Sequence, residues 1–127
     1  MPTHQWCGVC VESYQTRHAH HYQVSLLRSS FHVYGLDFRG HGRSPNNSNI
    51  TLSLKLFAED VACTLRVLRL DSCYVFGHSL GGAVALACAV DNPALFKGLF
   101  LFEPVVCAPS YAPTYELHRG NCQMSAL

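Results

Sequence analysis

The residues Gly77-His78-Ser79-Leu80-Gly81-Gly82 set a serine hydroxyl between glycines in the pattern Gly-x-Ser-x-Gly. A serine hydroxyl attacks a carbonyl only when it is held out where a base can reach it, so such a side chain belongs on a tight, strained turn. Glycine at both flanks permits that turn, because side chains at 77 and 81 would meet neighbouring backbone as the chain doubles back. The residue after the serine, Leu80, would then aim its backbone N–H at the oxygen on which negative charge develops. The chemistry implied is acyl transfer, with Ser79 as nucleophile and Leu80 N–H as oxyanion donor. A phosphate-cradling loop is the obvious rival. It would need Gly-x-Gly-x-x-Gly or a terminal Gly-Lys-Ser/Thr, and neither is present. An ordinary strand-to-helix turn remains the plain alternative.

The flanking elements fit the chemical reading. Cys73–Phe76 is a short apolar run of strand character. Gly81–Val90 reads as an alanine-rich apolar helix stopped by Asp91-Asn92-Pro93, and Gly98–Phe102 as a further continuous apolar strand. Upstream, a helix over about 52–70 carries Leu54, Phe57, Val61, Leu65 and Leu68 three or four apart, with Thr51 or Ser53 available as a cap. Before it come a short helix at Tyr22–Ser29, a strand at Phe31–Asp37 and a turn-rich loop at Phe38–Ile50. Strand, helix, strand, helix, strand predicts an α/β fold, with a mostly parallel sheet covered by helices on both faces. Residues 1–18 read as an irregular N-terminal segment with a possible strand at Val9–Val11. The core is expected over 19–107 and an irregular tail over 108–127.

Two further stretches extend the pattern. Val33-Tyr34-Gly35-Leu36-Asp37-Phe38-Arg39-Gly40-His41-Gly42-Arg43-Ser44 carries Asp-x-Arg-Gly-His-Gly-x-Ser, about forty residues ahead of Ser79, and Phe100-Leu101-Phe102-Glu103-Pro104 follows the nucleophile helix. With the Gly-x-Ser-x-Gly turn, the chain resembles the α/β-hydrolase superfamily, over roughly residues 15–107 if Gln15-Thr16-Arg17-His18-Ala19 is included. The resemblance implies a serine hydrolase acting through an acyl-enzyme on an ester, amide or thioester. It implies a loop bent at Gly40 and Gly42 and tied down by Asp37 and Arg39; His41, as a lone histidine, reads as solvated or structural. In that family the acid and then the base follow the nucleophile. Glu103, at a strand end that some members use for the acid, and His118, the one histidine downstream of the elbow, are the candidates here. The plainer readings are a strand-end carboxylate and a tail residue.

The resemblance also sets expectations about what is absent. Val11-Glu12-Ser13-Tyr14 stands where the family carries a glycine-rich oxyanion loop, and no glycine remains there. The strand leading into that loop normally lies between the Phe31–Asp37 and Cys73–Phe76 strands. Either Val9–Val11 fills the gap or those two strands pair directly. The Gly98–Phe102 strand would present a bare apolar edge that favours self-association. These features point to a fragment or truncated product of a longer hydrolase. The second functional reading is accordingly a catalytically inactive, hydrolase-derived module that binds a ligand or partner.

Composition narrows the classes. Of 127 residues, 49% are hydrophobic and 13% charged, the balance of a single globular core. The net charge of +1 leaves no field for nucleic acid or an anionic membrane. Residues 73–90 carry no formal charge, but Gly77, His78, Ser79, Gly81 and Gly82 break the run, so no membrane span is expected. The cysteine count of seven is odd, and no apolar leader opens the chain, which suggests a reducing, cytoplasmic setting. Cys7 and Cys10 with His18, His20 and His21 invite a zinc site, but the spacing is too short for the usual finger, so neither metal nor cofactor is expected. The partner anticipated is a small molecule with a carbonyl group.

Overall fold

Apolar runs bounded by turn residues become strands where neighbouring backbones satisfy their hydrogen bonds, and stripes of period 3.6 become helices packed over them. A computed structural model describes residues 6–12, 21–46 and 49–105, with 6–12 and 21 described for the backbone alone. The elements alternate as β1 (Trp6–Glu12), α1 (His21–Leu27), β2 (Phe31–Asp37), α2 (Leu54–Val67), β3 (Cys73–His78), α3 (Leu80–Asp91) and β4 (Phe96–Phe102), with a 3-10 turn at Pro93–Leu95 before β4. The sheet is parallel throughout, in the order β2-β1-β3-β4.

The gap between the Phe31 and Cys73 strands is therefore filled. The strand that fills it, β1, is longer than Val9–Val11, pairing Val9 with Tyr34 on one side and with Val75 on the other. Within the segment expected to be irregular, residues 6–12 are thus a strand of the sheet. Trp6-Cys7-Gly8-Val9-Cys10-Val11-Glu12 has a weak local strand signal, broken by glycine. Two flanking strands that each need a hydrogen-bonding neighbour supply what the local sequence lacks.

Strand alternation divides the sheet residues between two faces. Tyr34, Leu36, Cys73, Val75, Leu99 and Leu101 belong to one cluster with Phe57, Ala58, Val61, Ala62 and Leu65 of α2 and Val84, Ala85, Ala87 and Cys88 of α3. The α2 stripe buries at the predicted spacing, Phe57, Val61 and Leu65 being its most enclosed large members. Helix α3 is buried nearly all round, which explains the absence of charge through that part of the sequence. Burial pushes the Cys88 thiol up to about 11, and the nearby Asp91 adds to the rise. Ser53 caps α2, its hydroxyl accepting the Leu56 N–H at 3.2 Å.

The C-terminal end of α2 departs from the usual residue choice. Leu70 N–H donates to Leu65 C=O at 3.0 Å and Arg69 N–H to Arg66 C=O at 3.0 Å, a Schellman closure whose left-handed position is Arg69, φ 55°. An L side chain there costs about 1–2 kcal/mol that glycine avoids, less glycine's extra freedom in the unfolded chain. Arg69→Gly is expected to stabilise by about 0.5–1 kcal/mol, read as a higher urea midpoint with an unchanged slope.

The connection β1→α1→β2 moves across the sheet in the opposite direction to β2→α2→β3→α3→β4. Right-handed crossovers then put α1 on one face and α2 with α3 on the other. The direction changes between β1 and β3. In open parallel sheets the crevice beyond the carboxyl ends of such strands is where ligands bind.

Candidate active site

Strand β3 runs through His78 and α3 starts at Leu80, so one residue, Ser79, makes the whole turn from strand to helix at that crevice. Its backbone is at φ 51°, ψ −117°, a conformation an L residue adopts at a cost. The Ser79 N–H donates to Phe102 C=O at 3.0 Å, and its C=O accepts from Ala83 N–H at 3.2 Å and Val105 N–H at 3.3 Å. The hydroxyl does not cap α3. The Ser79 N–H is thus engaged, whereas the first amides of α3, that of Leu80 among them, have no acceptor within the helix.

The glycine at residue 77 acts as expected. A Cβ at residue 77 would stand 2.6 Å from Gly81 O and 2.8 Å from Gly82 Cα, so β3 and α3 approach as closely as bare backbone allows. A second crowded position is Gly82. A Cβ there would stand 2.9 Å from Pro104 Cβ and 3.1 Å from Gly77 O. Residue 81 takes part through its carbonyl, the atom that excludes a side chain from 77.

The loop after β2 is held from two directions. Asp37 accepts the Arg43 N–H at Oδ2, 3.2 Å, and its carbonyl accepts the Ser44 hydroxyl at 2.8 Å. Gly42 sits at φ 54°, and a Cβ there would press to 2.5 Å on the Asp37 carboxylate. Arg39 forks onto Asp60 of α2, Nε to Oδ2 at 2.6 Å and Nη2 to Oδ1 at 2.5 Å. Those hydrogen bonds raise the pKa of the guanidinium further above its ordinary value. His41 lies edge-on to Phe38 and Phe57, with Nδ1 3.1 Å from Arg39 O. Asp37, Arg39 and His41 are thus accounted for as anchors of the loop.

Glu103 follows β4 at φ 44° and is exposed, in the short stretch whose neighbours Phe102 and Val105 bond Ser79. The fold thereby brings Ser79, Leu80 and the Glu103 segment to one end of the sheet. His118 lies outside the described residues. So do Ser13 and Tyr14, which follow the end of β1, where Val11 pairs with Gly77. Cys7 and Cys10 fall in β1 and His21 in α1, but the side chains of all three, together with His18 and His20, lie outside the described residues. Among the described residues no group of three or more His, Cys, Asp or Glu could hold a metal ion, and no helix is long and apolar enough to cross a membrane. The part of this site that the sequence did not reveal is the hold of Phe102 and Val105 on the Ser79 backbone. Its one local signal is the Glu-Pro pair that ends β4.

Relief of the turn is measurable. Strain of about 1–3 kcal/mol at Ser79, less about 0.5–1 kcal/mol for glycine's unfolded-state freedom, predicts that Ser79→Gly is more stable by about 1 kcal/mol. Ser79→Ala, which keeps the strain, should unfold at an unchanged urea concentration.

A family model described as serine aminopeptidase, S33, matches residues 12–122. Among curated relatives, the monoglyceride lipase of Homo sapiens is 31% identical over 90 residues, which are 67% of this chain and 30% of that protein. The monoglyceride lipase of Mus musculus is 30% identical over the same shares. Among solved structures, Est816, described as an N-acyl homoserine lactone degrading enzyme, superposes with a TM-score of 0.72 at 26% identity, covering 80% of this chain and 39% of that one. A hydrolase from Pseudomonas aeruginosa PA01 superposes at 0.70 with 29% identity, covering 79% and 38%. The chain spans about a third of the length of these relatives, and its parallel sheet with flanking helices is part of the α/β-hydrolase fold.

Proposed function

Because this chain belongs to the serine aminopeptidase (S33) family of α/β-hydrolases, we propose that it is the nucleophile-bearing part of a serine hydrolase and that Ser79 attacks the carbonyl of a small ester, amide or thioester. The observation that carries the reading is Ser79 alone between β3 and α3, strained at φ 51° and lying at the point where the strand order reverses. Its Oγ bonds to the carbonyl carbon while its proton passes to a base. The oxygen of the tetrahedral intermediate takes the negative charge beside the Leu80 N–H, where the N-terminal end of α3 favours it. Collapse expels the alkoxide, amine or thiolate with a proton from that base, and water then releases the acid by the same route. His118 as base and Glu103 as the acid that orients it are the proposed partners within this chain. No cofactor enters these steps. A reducing, cytoplasmic setting is proposed as well, on the odd cysteine count of seven.

The test is covalent capture. An alkyl fluorophosphonate, whose phosphorus is attacked by an activated serine, is expected to add once to the chain at Ser79 and not at all to Ser79→Ala. His118→Ala should lose capture too if that residue is the base. An unlabelled native chain, or equal labelling of Ser79→Ala, would sink the reading.

A second reading, a non-catalytic module that associates through its sheet, has one observation in its favour. On the face opposite α2 and α3, the edge strand β4 carries Phe100 and Phe102, 59% and 54% exposed, beside Tyr74 and Phe76. Exposed aromatic side chains on an open edge favour pairing with a second copy. Light scattering separates the readings: a monodisperse monomer that takes the label supports the enzyme, and a labelling-inert oligomer supports the module.

A further inference from the structure

We propose that Phe102–Val105, the segment leaving β4, is a strap that holds Ser79 in its strained conformation, with Pro104 as a positioning residue. The catalytic consequence rests on the reading of Ser79 as nucleophile, whereas the strap itself does not. A strained backbone persists only where the surroundings over-determine it. Helix α3 cannot hold the Ser79 N–H, because that residue precedes the helix. The ladder between β3 and β4 ends with the pairing of His78 and Phe102. Ser79 is then held by the last bond of that ladder, its N–H to Phe102 C=O at 3.0 Å, by α3 through Ala83 N–H to its C=O at 3.2 Å, and by the strap through Val105 N–H to the same C=O at 3.3 Å.

The shape that lets one short segment reach both backbone groups is set inside it. Glu103, at φ 44°, reverses the chain so that Phe102 and Val105 both face the elbow. Pro104, between them, has a ring-locked φ and no N–H to compete for a partner. It also rests on the first turn of α3, with its Cβ 2.9 Å and its Cα 3.2 Å from where a Cβ on Gly82 would stand. The strap is thus fixed to α3 at its middle and to Ser79 at both ends. Since α3 carries the Leu80 N–H, this arrangement sets the serine hydroxyl and the oxyanion donor relative to each other, and misplacement of reacting groups by about an ångström costs on the order of a hundredfold in rate.

The experiment is a cycle of Ser79→Gly with Pro104→Gly, and again with Pro104→Ala, which keeps a Cβ against Gly82. Thermal midpoints are read for every variant, and rates of fluorophosphonate capture for those that retain Ser79, well below their midpoints. In the otherwise native chain, Ser79→Gly raises the midpoint. With Pro104→Gly that rise is expected to fall to half or less, because a loosened strap already lets residue 79 relax. Capture by folded Pro104→Gly should slow about tenfold or more, and Pro104→Ala should recover part of the rate. Should Pro104→Gly not fold, the cycle is read with Pro104→Ala. Equal rises in all backgrounds overturn the strap, as does a capture rate unaltered by Pro104→Gly. A native chain that takes no label but shows the coupled midpoints retains the strap and loses the nucleophile. A labelled chain with uncoupled midpoints does the reverse.

Discussion

Gly77→Ala is expected to destabilise the chain by about 3 kcal/mol or more, at or above the top of the usual range for overpacking a tight contact. Three features push the effect upward. The added methyl meets Gly81 O at 2.6 Å, Gly81 C at 2.8 Å and Gly82 Cα at 2.8 Å, and all of these are backbone atoms that no rotamer change can move aside. Relief requires α3 to withdraw from β3, which opens the packing of Val84, Ala85 and Cys88 against Val75. Withdrawal also pulls Gly82 from Pro104 and disturbs the hydrogen bonds of Ser79 to Phe102 and Val105. Against a total stability of about 5–15 kcal/mol for a domain, the loss is large enough to appear in a single urea titration. A midpoint equal to that of the native chain would falsify the contact between strand and helix described above. Capture of a fluorophosphonate by any Gly77→Ala that folds should fall with it, since the elbow and the Leu80 amide move together.

Leu65→Ala is the second large effect, expected at about 2–5 kcal/mol. Leu65 is the largest of the fully buried side chains among the described residues, in a cluster with Val61, Cys73, Val75, Val84 and Cys88 that joins α2 and α3 to β3. Two terms add here, the transfer free energy of the lost methyl groups and the cavity left where rigid neighbours on three elements cannot close in. The site should stay intact in the fraction that folds, because Leu65 has no bond to the elbow. Leu65→Ala thus lowers the denaturant midpoint without slowing capture by the folded protein, whereas Gly77→Ala changes both. Slowed capture in folded Leu65→Ala would mean that the core and the elbow are coupled more tightly than their separate contacts imply.

Much of this was readable along the chain because the governing interactions are local. Apolar runs at Phe31–Asp37 and from Cys73 and Gly98 onward became β2, β3 and β4, with ends moved by only a residue or two. The spacing of Phe57, Val61 and Leu65 named the buried face of α2, and Ser53 was one of two capping candidates. Gly-x-Ser-x-Gly between a strand and a helix located the sharp turn at Ser79. Asp-x-Arg-Gly-His-Gly-x-Ser marked a loop needing left-handed glycines, and Gly40 at φ 73° and Gly42 at φ 54° adopt that conformation.

What stayed hidden depended on partners far away in sequence. Strand β1 looked irregular because a glycine and two cysteines weaken its local preference, and only hydrogen bonding to β2 and β3 on either side makes it an interior strand. Arg39 was expected to be an anchor, but its partner Asp60 lies within another element, α2, and carries no mark in the sequence. The crowding of Gly82 against Pro104, and the grip of Phe102 and Val105 on Ser79, arise from a contact between α3 and the end of β4. Residue types and their periods determined which segments could be strands, helices and a reactive turn, because those preferences act over a few bonds. The packing of the elements decided which glycine must be bare and what holds the serine in place, because excluded volume and hydrogen-bond partners exist only once distant parts of the chain have met.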